Sequence, residues 1–224
     1  MHTQLFKFSA NVNTDIYIKD PESSQIGQSI LKDGLELIDE LGFEDFTFRK
    51  LGVRIGTTEA TIYRYFENKH KLLLYFTSWY WCWIEYQLVL KNTNIHDPSQ
   101  RLNNAIKILA TLDDYTQTSL NLPKLFNIIC RESSKSYLTI NVRDLNSYGV
   151  FYNYKKIVSV LSDLITEINP DYPYPHMLIT TIIEGIHHQI YFADHLPGLT
   201  DKVDDAQYLI NFYYQLALKA IKPN

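Results

Sequence analysis

The chain has 224 residues, 46% hydrophobic and 21% charged, with a net charge of -4 and a sequence pI near 6.0. That length buries a real core in one large domain or two small ones. The acidic balance excludes a broadly basic nucleic-acid coat, so any DNA-binding surface must be local.

Eight glycines and eight prolines leave few places for sheet turns, and the fold class expected is all-α. Cys82 and Cys130 lie too far apart for a CxxC or zinc spacing, so no metal or cofactor is expected and a reducing cytoplasm fits. The N-terminus lacks the basic-then-apolar pattern of a signal peptide. The longest uncharged apolar-rich run, residues 72–84, is too short to span a bilayer, so no membrane partner is expected.

Residues 1–22 stand apart. The partly alternating "QLFKFSANVNTDIYIKD", ending at Pro21, fits either a short hairpin or an arm packed on the body. A helix then starts from Ser23 or Ser24 as N-cap, carries Ile26, Ile30, Leu31, Leu35, Ile38 and Leu41 at helical spacing, and can stop at Gly42. Thr47 caps a second short helix that Gly56 interrupts; Thr57 or Thr58 caps a third; Asn68 caps a fourth beginning at Lys69. Helix, four-residue break, helix is helix-turn-helix spacing.

The fourth helix, expected to run to about Leu90, is apolar nearly all round and so must be buried on several sides. Further helices are expected near 99–115, 122–133, 143–168, 175–194 and 203–222.

The second helix of such a motif lays small and polar side chains along base edges while hydroxyls and cations fix phosphates. Thr57, Thr58, Glu59 and Thr61 form that face, and a glutamate can accept from a cytosine amino group. Helical geometry puts Tyr63 and Phe66 with Ile62 in the core and leaves Tyr65 outside. Residues 46–73 hold six cations against two acids, a local excess of four in a chain that is acidic overall.

"GFEDFTFRKLGVRIGTTEATIYRYFENKHKLL" resembles the DNA-binding domain of the TetR family of bacterial transcriptional regulators, over about 50 residues from Ser24 to Leu73. The resemblance implies three regions: an extension at 1–22, a helix-turn-helix domain at 23–70, and a helical ligand-binding and dimerisation domain at 71–224. It also implies a homodimer on a pseudo-palindromic double-stranded operator, released by a small molecule; no residue constellation supports an enzymatic activity. Carried over position by position, it makes Thr47 and Lys69 phosphate contacts, Arg64 and Tyr65 DNA contacts, and Thr57, Thr58, Glu59 and Thr61 base readers. The alternative is a helical small-molecule-binding protein whose DNA-binding domain has lost its affinity.

The cluster "WYWCW" can floor an effector site for an apolar or aromatic molecule, or it can be ordinary core. Trp79, Trp83 and Tyr86, with Phe126, Tyr148, Phe151 and Tyr152, are the candidate lining. Ile179, Ile183, Ile186 and Ile190, with Leu209, Phe212, Tyr213 and Leu216, are the candidate dimer faces of the last two helices. Glu184, His187 and His188 share a helix face, but no second ligand cluster accompanies them.

Overall fold

The structure is a computed structural model and describes residues 8–111, 118–201 and 205–222. All regular structure among them is helical. The helices are α1 (Gln25–Asp45), α2 (Phe48–Ile55), α3 (Glu59–Tyr63), α4 (Lys69–Asn92), α5 (Pro98–Ala110), α6 (Leu122–Glu132), α7 (Ser134–Tyr137), α8 (Val142–Ser147), α9 (Tyr152–Ile168), α10 (Pro175–His195) and α11 (Ala206–Ala220), with short 3-10 turns at Thr14–Ile16, Pro21–Ser23 and Pro197–Leu199.

The chain divides into two compact units, residues 1–83 with 114–151 and residues 84–113 with 152–224, and α4 contributes to both. In the first unit α1 lies against α2 and α6, and α4 supplies its fully buried rings Phe76, Trp79 and Tyr80. In the second, α5, α9, α10 and α11 pack around Ile106, Ile157, Ile183 and Ile186.

The caps explain where the first helices start. Ser24 Oγ accepts from Gly27 N–H, Thr47 Oγ1 from Lys50 N–H, Thr58 Oγ1 from Thr61 N–H and Asn68 Oδ1 from Lys71 N–H. Gly42, at φ 79°, breaks the regular winding of α1, and Gly56, at φ 68°, closes α2 in the left-handed region where a side chain would be strained.

The long helix expected over 143–168 is two helices. Gly149 adopts φ 73° and Val150 N–H turns back to Leu145 C=O, so the chain changes direction between α8 and α9. The helix expected over 99–115 ends earlier, at Ala110, and residues 112–117 lie outside the described part.

Of the two readings of the N-terminal segment, residues 8–24 take the packed arm and not the hairpin. They run as an extended arm across the first unit, with Val12 and Ile16 buried. Asn11 C=O faces Cys82 Sγ at 3.5 Å, Asn13 Nδ2 donates to Tyr148 C=O at 2.9 Å, and Lys71 Nζ donates to Asp15 C=O at 2.8 Å. Ile18 N–H reaches Tyr65 C=O at 2.8 Å, and Tyr75 Oη donates to Glu22 Oε1 at 3.2 Å.

Candidate nucleic-acid interface

The turn between α2 and α3 closes on a backbone bond from Thr57 N–H to Gly52 C=O at 2.8 Å. It leaves Thr47, Arg49, Val53, Thr58, Glu59, Ala60, Tyr63 and Arg64 exposed, with Thr57 and Thr61 half-buried. Thr58 and Thr61 hydroxyls also share a hydrogen bond at 3.0 Å, which fixes the first turn of α3. Every residue expected to read bases therefore lies on or beside one five-residue helix at the surface.

The two tyrosines exchange the places expected of them. Tyr65 is 4% exposed and Tyr63 is 45% exposed. The reason is the end of α3, where Arg64 N–H bonds to Thr61 C=O and Tyr65 N–H to Ile62 C=O, both three residues back. That tighter winding eclipses residues three apart, so Tyr65 falls over buried Ile62. Its hydroxyl shares a hydrogen bond with Ser24 Oγ at 2.8 Å, and the arm covers its ring. Tyr63 stands outside, its ring edge-on to Phe48 at 5.0 Å between centroids.

Lys69 is not a free cation either. Its ammonium donates to Phe43 C=O and Glu44 C=O at 2.9 Å each and to Phe46 C=O at 3.2 Å, and it lies 4.8 Å from the centre of the Phe43 ring. From the other side, buried Glu132 of α6 accepts from Phe43 N–H at 3.2 Å and pairs with Lys135 at 2.8 Å. The α1–α2 connection is thus gripped at its carbonyls by the first residue of α4 and at an amide by α6. Arg131 extends the α6 contact by donating to Ile38 C=O and Asp39 C=O, Lys135 also pairs with Glu44, and Lys124 pairs with Glu36.

Arg54 is bidentate to Glu40, at 2.6 and 2.9 Å, and hydrogen bonding from the guanidinium is the main reason the Glu40 carboxyl is held below its usual range. Lys50 Nζ donates to Asp45 C=O, and Lys71 is spent on the arm. Of the six cations in this stretch, Arg49 and Arg64 are exposed and make no hydrogen bond or ion pair among the described residues.

The predicted effector lining divides between buried and exposed rings. Trp79 and Trp83 are fully buried, Phe126 packs obliquely on Tyr80 at 6.3 Å, Tyr86 and Phe151 are half-buried, and Tyr148 and Tyr152 stand mostly in solvent. Tyr148 and Tyr152 flank the turn around Gly149. Trp83 Nε1 is buried without a hydrogen-bond partner. A cavity of about 530 Å³ lies elsewhere, beside α10 and α11, lined by Gln189, Leu199, Thr200, Tyr208 and Phe212.

The predicted dimer stripe is corrected in the same way. Ile179, Ile183, Ile186, Leu209 and Tyr213 are consumed by the second unit's own core and Ile190 is half-buried, because α10 packs on both α9 and α11. The apolar side chains left outside on α11 are Tyr208, Phe212 and Leu216. Glu184 accepts from Tyr154 Oη at 2.8 Å, and no group of three metal-binding side chains occurs among the described residues. Burial, more than neighbouring His188, pushes the His187 imidazole down to about 4. No helix among the described residues is long and apolar enough to cross a membrane.

A capped three-helix arrangement with a small, polar, exposed second helix defines a helix-turn-helix DNA-binding domain. Residues 30–76 match the family model "Bacterial regulatory proteins, tetR family", and this domain belongs to that family. Three solved structures are similar to the chain. The fatty acid degradation regulator FadR from Bacillus halodurans is 20% identical, with 85% of this chain and 96% of that one covered at a TM-score of 0.58. AibR, solved in complex with isovaleryl coenzyme A and operator DNA, is 18% identical, with 84% and 96% covered at 0.55. The ketosteroid transcriptional regulator KstR2 of Mycobacterium tuberculosis is 15% identical, with 90% and 97% covered at 0.55. At these identities the likeness establishes a shared all-helical fold. No curated protein matches the sequence.

Proposed function

We propose that the protein is a ligand-responsive transcriptional regulator, a repressor, that binds a pseudo-palindromic operator as a homodimer and leaves it when a small molecule binds. The observation that carries this reading is the solvent-facing set on α2 and α3. Thr57, Thr58, Glu59 and Thr61 form a polar edge of base-reading size, flanked by Thr47, Arg49, Tyr63 and Arg64, which can bond phosphates.

The effector site is assigned to the aromatic rings of α4, where the buried Trp83 indole has no hydrogen-bond partner among the described residues. The ketosteroid named for one similarly folded regulator is in keeping with an apolar effector, whereas the isovaleryl coenzyme A bound by another pairs a short apolar acyl group with an anionic carrier. Association is assigned to the exposed α11 face of Tyr208, Phe212 and Leu216, which a two-fold pairing would bury.

Selection of bound duplexes from a random oligonucleotide pool tests the proposal, with wild type and a Tyr63→Ala, Arg64→Ala double variant run side by side. Recovery of a two-fold-related sequence by wild type alone is expected. Failure of wild type to enrich any sequence would favour a helical ligand-binding protein without DNA affinity, an outcome to which the internal use of Arg54, Lys69 and Lys71 lends weight.

A further inference from the structure

The burial of Tyr65 raises the question of what occupies the surface above it. The answer is the N-terminal arm. Ile18 N–H is bonded to Tyr65 C=O, and the next residue, exposed Lys19, lies with its ammonium 5.1 Å from the Tyr65 ring centre. The ring's other polar neighbour is Ser24, which begins α1, so Tyr65 is clasped by both ends of the segment 18–24. Arg64 precedes it in the chain and is exposed. Lys19 lies over Tyr65 and Arg64 is the C-cap of α3, so both cations sit at the C-terminal end of that helix.

The acids near Lys19 in sequence are already engaged. Asp20 Oδ1 accepts from Glu22 N–H at 2.8 Å, and Glu22 Oε1 accepts from Tyr75 Oη. Lys19 forms no ion pair among the described residues, whereas four of the helix-turn-helix cations, Lys50, Arg54, Lys69 and Lys71, are engaged within the protein. The arm is also not free to swing. Buried Val12 and Ile16 and the bonds of Asn13 and Asp15 to Tyr148 and Lys71 fix its course up to Ile18.

We infer that the arm delivers Lys19 to the DNA backbone beside α3, so that Lys19 and Arg64 together grip one phosphate while Tyr65 serves as the platform that positions them. The inference rests on the regulator reading above. Lysine suits this role as a point charge on a flexible stem that contacts phosphate without reading sequence.

The test measures affinity for one duplex taken from the selected pool across a series of salt concentrations, for wild type, Lys19→Gln and Lys19→Arg. Each phosphate neutralised contributes about 0.9 to the slope of log affinity against log salt. Lys19→Gln is expected to lower that slope by about one per bound protomer while leaving the selected sequence unchanged, and Lys19→Arg is expected to restore it. Melting temperatures of all three should coincide, because Lys19 is a surface residue.

An unchanged slope for Lys19→Gln, with wild type binding normally, would overturn the role of Lys19 and leave the regulator reading standing. No duplex binding by wild type would overturn both.

Discussion

Replacing Lys69 by Met separates a structural lysine from a phosphate-binding one. The ammonium has three protons and spends all of them on the carbonyls of Phe43, Glu44 and Phe46. A hydrogen bond to a charged group contributes about 1.5–3 kcal/mol net, and the bonds of one ammonium do not add in full. The Glu44 carbonyl bond is exposed and water can replace it; the Phe43 and Phe46 bonds are partly buried and their carbonyls would be stranded. Methionine keeps most of the stem's packing on the Phe43 ring, so the loss comes from the ammonium, about 2–4 kcal/mol. For a chain of this size that corresponds to a melting temperature lower by roughly 5–12 °C.

Calorimetry reads the shift, and hydrogen exchange at Phe46 and Leu51 would show where it originates. DNA affinity should weaken by a similar factor at every salt concentration, with the salt slope unchanged. A melting temperature within about a degree of wild type, together with a slope reduced by about one, would refute the capping role and return Lys69 to the phosphate contacts.

Three further outcomes are expected. His187 is held near 4 in the folded state against 6.5 unfolded, so the unfolded chain binds the extra proton between those values; this contribution is intact above about pH 7 and is lost as pH falls, reaching about 2 kcal/mol at pH 5. Urea midpoints at pH 7.5 and 5 should converge in His187→Gln, and an equal pH dependence in the variant would show that other groups set it. Gly185→Ala places a Cβ 2.4 Å from Tyr213 Oη and 3.0 Å from its Cζ, and because that ring is buried the cost should be about 1–3 kcal/mol by urea melts; a neutral result would mean that α10 and α11 can part. Phe212→Asp should move the light-scattering mass to that of one 26.3 kDa chain, and an unchanged mass would place any self-association on another face.

What the sequence disclosed well was local. Ser24, Thr47, Thr58 and Asn68 are caps whose side chains bond amides three residues on, and Gly42 and Gly56 punctuate helices through their own backbone preferences, so the three-helix motif is legible residue by residue. A uniform helical period places Tyr65 outside, but the turn winds more tightly after Tyr63 and carries it into the core. Lys69 and Glu132 were out of reach for a different reason. Their partners lie 23–26 and 89 residues away, and no spacing rule links an ammonium or a carboxylate to backbone groups at that separation. The isoleucines of α10 look alike in sequence whether they face the protomer's own core or a second copy. Only packing distinguished them, and it gave Ile179, Ile183 and Ile186 to the core.

The internal employment of Arg54, Lys69 and Lys71 also bears on how such a protein would find its site. Non-specific attraction to DNA scales with the number of phosphates neutralised, and bulk DNA offers a vast excess of wrong positions. With four of the six cations near α3 already engaged within the protein, few molecules would be titrated away by irrelevant sequence. A small pool of copies would then keep a true operator occupied, at the cost of a slower electrostatic approach to it.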